Sequence, residues 1–322
     1  MDENTRFALV GIGSSMMIGA MAGVGSVVIK RAAAARYAES GRADGVTDEG
    51  FIGARAFAVL GVTVGLFVSM FGVYGPWSWP PAQMSQRLFL APAIVGAIGL
   101  GGVILTAWRG RASAGGERGL GWIISATCAG VGAAIAMTVA LGKPLWDGAL
   151  APHGAAVWVP LVFAAWSALG AWSIGRVVGG GARMSGSIVL LGLSLAVGAG
   201  MKGAFNQKLG DNGLGVAAVC AGLAAGALLL RGSIGPGSIG VICGMLGVIV
   251  GCGTLMADKP SWWIAIGLGL VAPTAWAADV LAARRMGKVA GSLVRIAPAA
   301  VVAIAAVAPG VWALIQFARG NG

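Results

Sequence analysis

The chain has 322 residues, 57% of them hydrophobic and 10% charged, and a net charge of +11; its mean hydropathy is +0.87. A soluble domain carries about 25% charged residues, so a water-soluble globule is excluded. The basic residues are scattered over many short connections and form no single face, which excludes a nucleic-acid partner and fits the charge rule of membrane loops.

A helix needs about 20 apolar residues to cross a bilayer core of about 30 Å. Ten stretches meet that length, at about 7–29, 56–75, 88–108, 120–142, 155–175, 186–205, 213–230, 238–256, 262–283 and 296–317. They leave no room for a separate soluble domain, so residues 1–322 read as one polytopic domain. The first stretch follows the acidic tail MDENTR, and Lys30 and Arg31 come after it. A secretory signal has the opposite polarity, so this end reads as an uncleaved anchor with a translocated N-terminus. The connection 30–55 is the longest. Its Ala-rich AAAARYAESGR predicts that the first helix runs on past the membrane, and Asp44-Gly45 and Asp48-Glu49-Gly50 predict a turn. Pro92, Pro160 and Pro298 fall in or near the first turns of their stretches, where proline is ordinary. The segment Lys202–Gly213 is the most polar of the even-numbered connections.

The connections alternate in charge. Fifteen Lys and Arg lie in the odd connections against five (Arg87, Lys143, Lys202, Lys208 and Lys259) in the even ones. Basic residues favour the cytoplasmic side. The fold expected is therefore an all-α integral membrane protein, a bundle of about ten transmembrane helices arranged as five hairpins, with both termini outside. Tryptophans at the stretch ends, such as Trp77, Trp146, Trp262 and Trp108, suit the headgroup level. The Ala/Gly-rich composition points to a prokaryotic inner membrane.

Traces of repetition run through the hairpins. Thr138-x4-Lys143-Pro144-x-Trp146 recurs as Thr254-x4-Lys259-Pro260-x-Trp262, and the second stretch closes on Gly75-Pro76-Trp77-Ser78-Trp79. Duplication explains this, and so does a shared end chemistry of Pro, Trp and Lys. Glycine is the other large signal, at 57 residues. Small residues let helix backbones approach closely in a bilayer. GxxxG spacings occur at Gly19/Gly23, Gly61/Gly65, Gly222/Gly226, Gly240/Gly244 and Gly247/Gly251. They predict tight packing within the chain, against membrane-protein partners, or in a homo-oligomer through Gly-rich faces.

Residues 11–26, GIGSSMMIGAMAGVGS, resemble the Gly-rich first helix of rotary ATPase proteolipid subunits. That family depends on a mid-membrane carboxylate, usually in its second helix, and residues 56–75 contain none. The likeness is one of packing chemistry. The span count and length are similar to the drug/metabolite transporter class, whose cytoplasmic termini oppose the charge bias here.

Candidate sites are few. Pro273-Thr274 and Pro309-Gly310 lie mid-stretch in the ninth and tenth helices. Proline removes a helix hydrogen bond, and broken helices near the midplane form substrate sites in transporters. These four are the substrate-binding candidates, with a packing kink as the plainer reading. Asp279 is the sole carboxylate inside a stretch, about one turn from the cytoplasmic end and just before Arg284 and Arg285. The three read as a gate or as an interfacial ion pair whose charge reaches headgroup water. Ser125 and Thr127 read as packing hydroxyls. Cys128, Cys220, Cys243 and Cys252 lie in apolar stretches, and His153 is the one histidine, so neither a metal site nor a cofactor is expected. No catalytic constellation is present. Two functions remain: a permease or channel-like protein for a small neutral or weakly polar substrate, and a non-catalytic structural or assembly subunit of a larger membrane complex.

Overall fold

The structure, a computed structural model, describes residues 2–39, 48–75, 84–110, 117–147, 155–204, 207–230, 232, 234–256 and 262–320. Within these residues the protein is all-helical, and ten helices are long and apolar enough to span a membrane. We number them in chain order. Helix α1 is continuous through α-helical Glu3–Arg6, π-helical Phe7–Ser14 and α-helical Ser15–Glu39. The others are α2 (Asp48–Tyr74), α3 (Leu90–Gly110), α4 (Glu117–Leu141) and α5 (Ala155–Gly179). They are followed by α6 (Arg183–Ala204), α7 (Gln207–Leu229), α8 (Pro236–Met256), α9 (Trp262–Leu281) and α10 (Lys288–Gly320).

The Ala-rich segment after Arg31 does extend the first helix, to Glu39. Helix α10 begins at Lys288, eight residues before the expected start of its stretch. Pro298 therefore sits in the third turn and not in the first, a correction to the expected boundary. Charged residues marked the ends of the apolar stretches, whereas the hydrogen-bond ladder continues through them. The motif residues Pro76–Trp79 and Lys259–Pro260, Asp44-Gly45, and His153 lie outside the described residues, whereas Asp48-Glu49-Gly50, expected in a turn, open helix α2.

Helix α8 stands at the centre, 94% buried in its spanning window. It packs against α2, α3, α4 and α5, and more lightly against α6, α7 and α9. Its sequence is apolar all round and carries Gly240, Gly244, Gly247 and Gly251, so neighbours close on it from every side. Helices α1 and α10 are peripheral, with 28% and 22% buried. Helix α1 lies on α2 and α7, and α10 lies on α6 and α9.

The GxxxG pairs are spent inside the chain. Gly19 and Gly23 of α1 face the backbone of Val219 and Leu223, while Gly222 and Gly226 of α7 face the backbone of Met16 and Ala20. A Cβ at any of the four would strike a carbonyl oxygen of the other helix. Hydroxyls fill similar notches elsewhere, with Ser167 Oγ in the place of a Cβ on Gly247 and Ser69 Oγ in the place of one on Gly215.

Arginines tie the helix ends. At the N-terminal end of the bundle, Arg6 Nε donates to the Gly72 carbonyl at 3.1 Å. It thereby covers orphan acceptors where α2 stops at left-handed Gly75 (φ 77°). At the opposite end, an Arg31 guanidinium nitrogen donates to the Leu230 carbonyl just beyond α7.

Candidate functional site

Three polar features interrupt the apolar bundle. The first is a charged pair at the end opposite the N-terminus. Asp279, two residues before α9 ends, is 1% exposed. Arg295 Nε of α10 donates to Asp279 Oδ1 at 2.7 Å, with the arginine side chain 12% exposed. The second carboxylate oxygen faces Gly180 in the α5–α6 turn, and Gly181 gives that turn its left-handed residue (φ 93°). Ser185 Oγ of α6 donates to Ser292 Oγ of α10 at 3.1 Å. Trp172 and Trp276 meet edge-on at 4.7 Å, and the Arg176 guanidinium lies 6.0 Å from the Trp172 ring centroid. The carboxylate is thus buried beside that turn and paired across α9 and α10. Arg285 is exposed, and the side chain of Arg284 lies outside the described residues. Sequence reasoning missed Arg295 because the tenth stretch was expected to start at 296, which left Arg295 among the loop cations.

The proline candidates are not brought together. Gly267 of α9 lies against Ala306 of α10. In antiparallel register that contact leaves Pro273 and Pro309 offset by about nine residues, or about 13 Å along the axis. Both helices continue through their prolines. Pro273 and Thr274 are half-buried, Pro309 is exposed and Gly310 is buried. Thr274 Oγ1 donates back to the Leu270 carbonyl at 2.7 Å, which uses the hydroxyl within its own helix.

The second feature is a cleft of about 310 Å³, counted out to its open mouth, at the same end as Asp279. Arg55 of α2, Gly102 and Thr106 of α3, Ser125 and Cys128 of α4, and Pro236 and Gly237 of α8 line it. The cleft has enclosed room for about one water molecule. Glycines form much of the wall, so backbone is presented where side chains would otherwise close the gap. Ser125 Oγ donates to the Pro236 carbonyl, which fixes α4 to the first turn of α8. Pro236 suits that first turn because it lacks the amide hydrogen the turn would leave unpaired. Ser125 was singled out in the sequence as packing; its place in a cleft had no sequence signal, and neither had that of Arg55.

The third feature lies at the N-terminal end, between α1, α2 and α7. Asn212 Nδ2 donates to Tyr74 Oη at 2.9 Å. Around them Lys202 pairs with Asp211 at 2.8 Å, and Lys208 lies 3.7 Å from Glu3 and 5.9 Å from the Tyr74 ring centroid.

Among the described residues, no three His, Cys, Asp or Glu side chains come together as a metal site.

No protein-family model, curated protein or solved structure matches the chain.

Function must therefore be argued from these three features. One end of the bundle opens into a glycine-lined cleft beside the central helix. That same end carries the buried Asp279–Arg295 pair.

Proposed function

We propose that the protein is a permease of a prokaryotic inner membrane, not an enzyme, with five helical hairpins and both termini outside. The observation that carries this reading is the cleft beside α8, lined by glycine, hydroxyls and one cation. The excess of basic residues in the odd connections supports a cytoplasmic side for that cleft. It would then be the inward vestibule of a carrier for a small neutral or weakly polar solute. The small enclosed space and the scarcity of charge in the wall support a small solute of that kind. In this reading Pro273, Thr274, Pro309 and Gly310 are bending points of α9 and α10, since each proline removes a hydrogen bond. Asp279, with Arg295, Arg284 and Arg285, then belongs to the cytoplasmic gate.

The test is solute-driven swelling of proteoliposomes with glycerol, urea and small sugars. The native chain is expected to speed entry of at least one of them. Gly237→Leu, which fills the cleft, is expected to abolish that gain, Pro309→Ala to alter it, and Val301→Ala, on the exposed face of α10, to leave it unchanged. Equal rates for empty and loaded vesicles with every solute would remove the permease reading.

A non-catalytic subunit of a larger assembly is the alternative, favoured by one observation. Around mid-bundle α8 is sealed, with Val241, Leu246, Val248 and Val250 all at 0% exposure. Purification in mild detergent with a fixed set of other subunits would support it.

A further inference from the structure

Toward the N-terminal end of the bundle, buried polar atoms lack partners among the described residues. Ser69 of α2 and Asn212 of α7 are 2% and 1% exposed. Among the described residues, neither Ser69 Oγ nor Asn212 Oδ1 meets a hydrogen-bond partner. Turning the Asn212 amide over exchanges its oxygen and nitrogen and still leaves one end unpaired. Ser167, Ser194 and Thr254 each donate to the carbonyl four residues back, whereas Ser173 and Ser238, away from this end, share the lack of a partner. What sets Ser69 and Asn212 apart is that two such groups lie under one irregular helix. A buried polar group without a partner costs about 1–3 kcal/mol.

The helix that covers this seam is itself irregular. Phe7–Ser14 of α1 is π-helical over eight residues. Such turns are rare and occur mostly as single bulges, often at functional sites. Ser14 Oγ and Ser15 Oγ donate five residues back, to Leu9 and Val10, following the widened turn. Gly11 in this stretch lies against Gly72 of α2, and its carbonyl faces Gly215 of α7. An unfavourable helix form and two unpaired polar groups therefore share one seam. Both are relieved if the first turns of α1 move off α2 and α7 and water enters.

We propose that this seam is the outward entrance of the permease, and that Ser69, Tyr74 and Asn212 are its binding station for a small uncharged solute with both donors and acceptors. The proposal rests on the permease reading and on an outside N-terminus. The three residues carry no formal charge, and they offer one amide and two hydroxyls. The charged residues at the rim, Lys202 with Asp211 and Lys208 with Glu3, stand in opposite-sign pairs. A polyol or a small amide matches the station.

The test uses the full chain with Cys128, Cys220, Cys243 and Cys252 replaced by alanine. Asn212→Cys is compared with Ser167→Cys, which lies in the Gly247 notch. A membrane-impermeant thiosulfonate is added from outside. Labelling at position 212 is expected to be about tenfold faster than at 167, and slowed by glycerol or urea. Should the Asn212 variant not fold, Tyr74→Cys reports on the same seam. Labelling at 212 as slow as at 167 would overturn the entrance. Labelling that neither glycerol nor urea slows would overturn the assigned ligand class. A labelled, solute-protected position 212 in a protein that moves no solute would keep the site and remove the permease reading, so the two fail separately.

Discussion

Asp279 and Arg295 show how much depends on one pair of side chains. With both nearly buried, removing the carboxylate takes from Arg295 its paired charge, at a cost of about 3–5 kcal/mol. Asp279→Asn is therefore expected to lower the thermal midpoint in detergent strongly. Arg285→Ala, at an exposed position, should change stability by no more than about 0.5 kcal/mol. Replacing both partners, Asp279→Leu with Arg295→Met, should recover much of the loss, since an apolar pair of similar size substitutes well for a buried ion pair. Equal losses in the Asp279 and Arg285 variants would show that the buried pair contributes nothing. The carboxylate was legible in the sequence as the one acid within an apolar stretch; its partner was not. Nothing in a linear pattern distinguishes an arginine in a loop from one two turns inside a helix that starts early.

At the scale of the helix, two predictions concern α1. Its glycine face meets α7 through backbone on both sides, so Gly222→Ala places a methyl on the Met16 carbonyl. Overpacking of this kind costs about 1–3 kcal/mol. Gly192→Ala in α6 meets nothing within 4 Å and should be neutral or stabilising by up to about 1 kcal/mol. Unfolding midpoints of the two variants, measured side by side, check the contrast. The second prediction concerns the cap of α1, where Asp2 Oδ1 accepts from the Thr5 amide at 2.7 Å. That bond, and a second from the Thr5 hydroxyl, hold the Asp2 carboxyl below its ordinary value of 3.8. The folded value is depressed, so the cap is fully formed above the ordinary value and is lost as pH falls through the folded one. Amide protection at the start of α1 should then fall only below about pH 4, and Asp2→Ala should remove that pH dependence. The presence of each helix was legible because apolar runs of about 20 residues have few alternatives. The π-helical stretch was not, since its sequence is as apolar and glycine-rich as the α-helical turns after it. GxxxG announced close approach but not the partner, because the same spacing serves any small-residue surface.

For the molecule as a whole, the central place of α8 was hidden for a related reason. In water an all-round apolar helix stands out as buried, whereas in a bilayer every span is apolar, and only the packing separates centre from rim. The cleft toward one end and the buried Ser69–Asn212 seam toward the other arise from contacts between segments distant in the chain and have no local signature. The α1–α7 junction carries a further consequence, for biosynthesis. Arg31 and Leu230 are 199 residues apart, so the ribosome must deliver six more helices before the first one meets its mate. At about 5–20 residues per second that interval is about 10–40 s. Throughout it, the glycine groove of α1 can be occupied only by lipid, by α2 or by an insertion chaperone. A nascent chain stalled before α7 would expose that groove and become a natural target for membrane quality control.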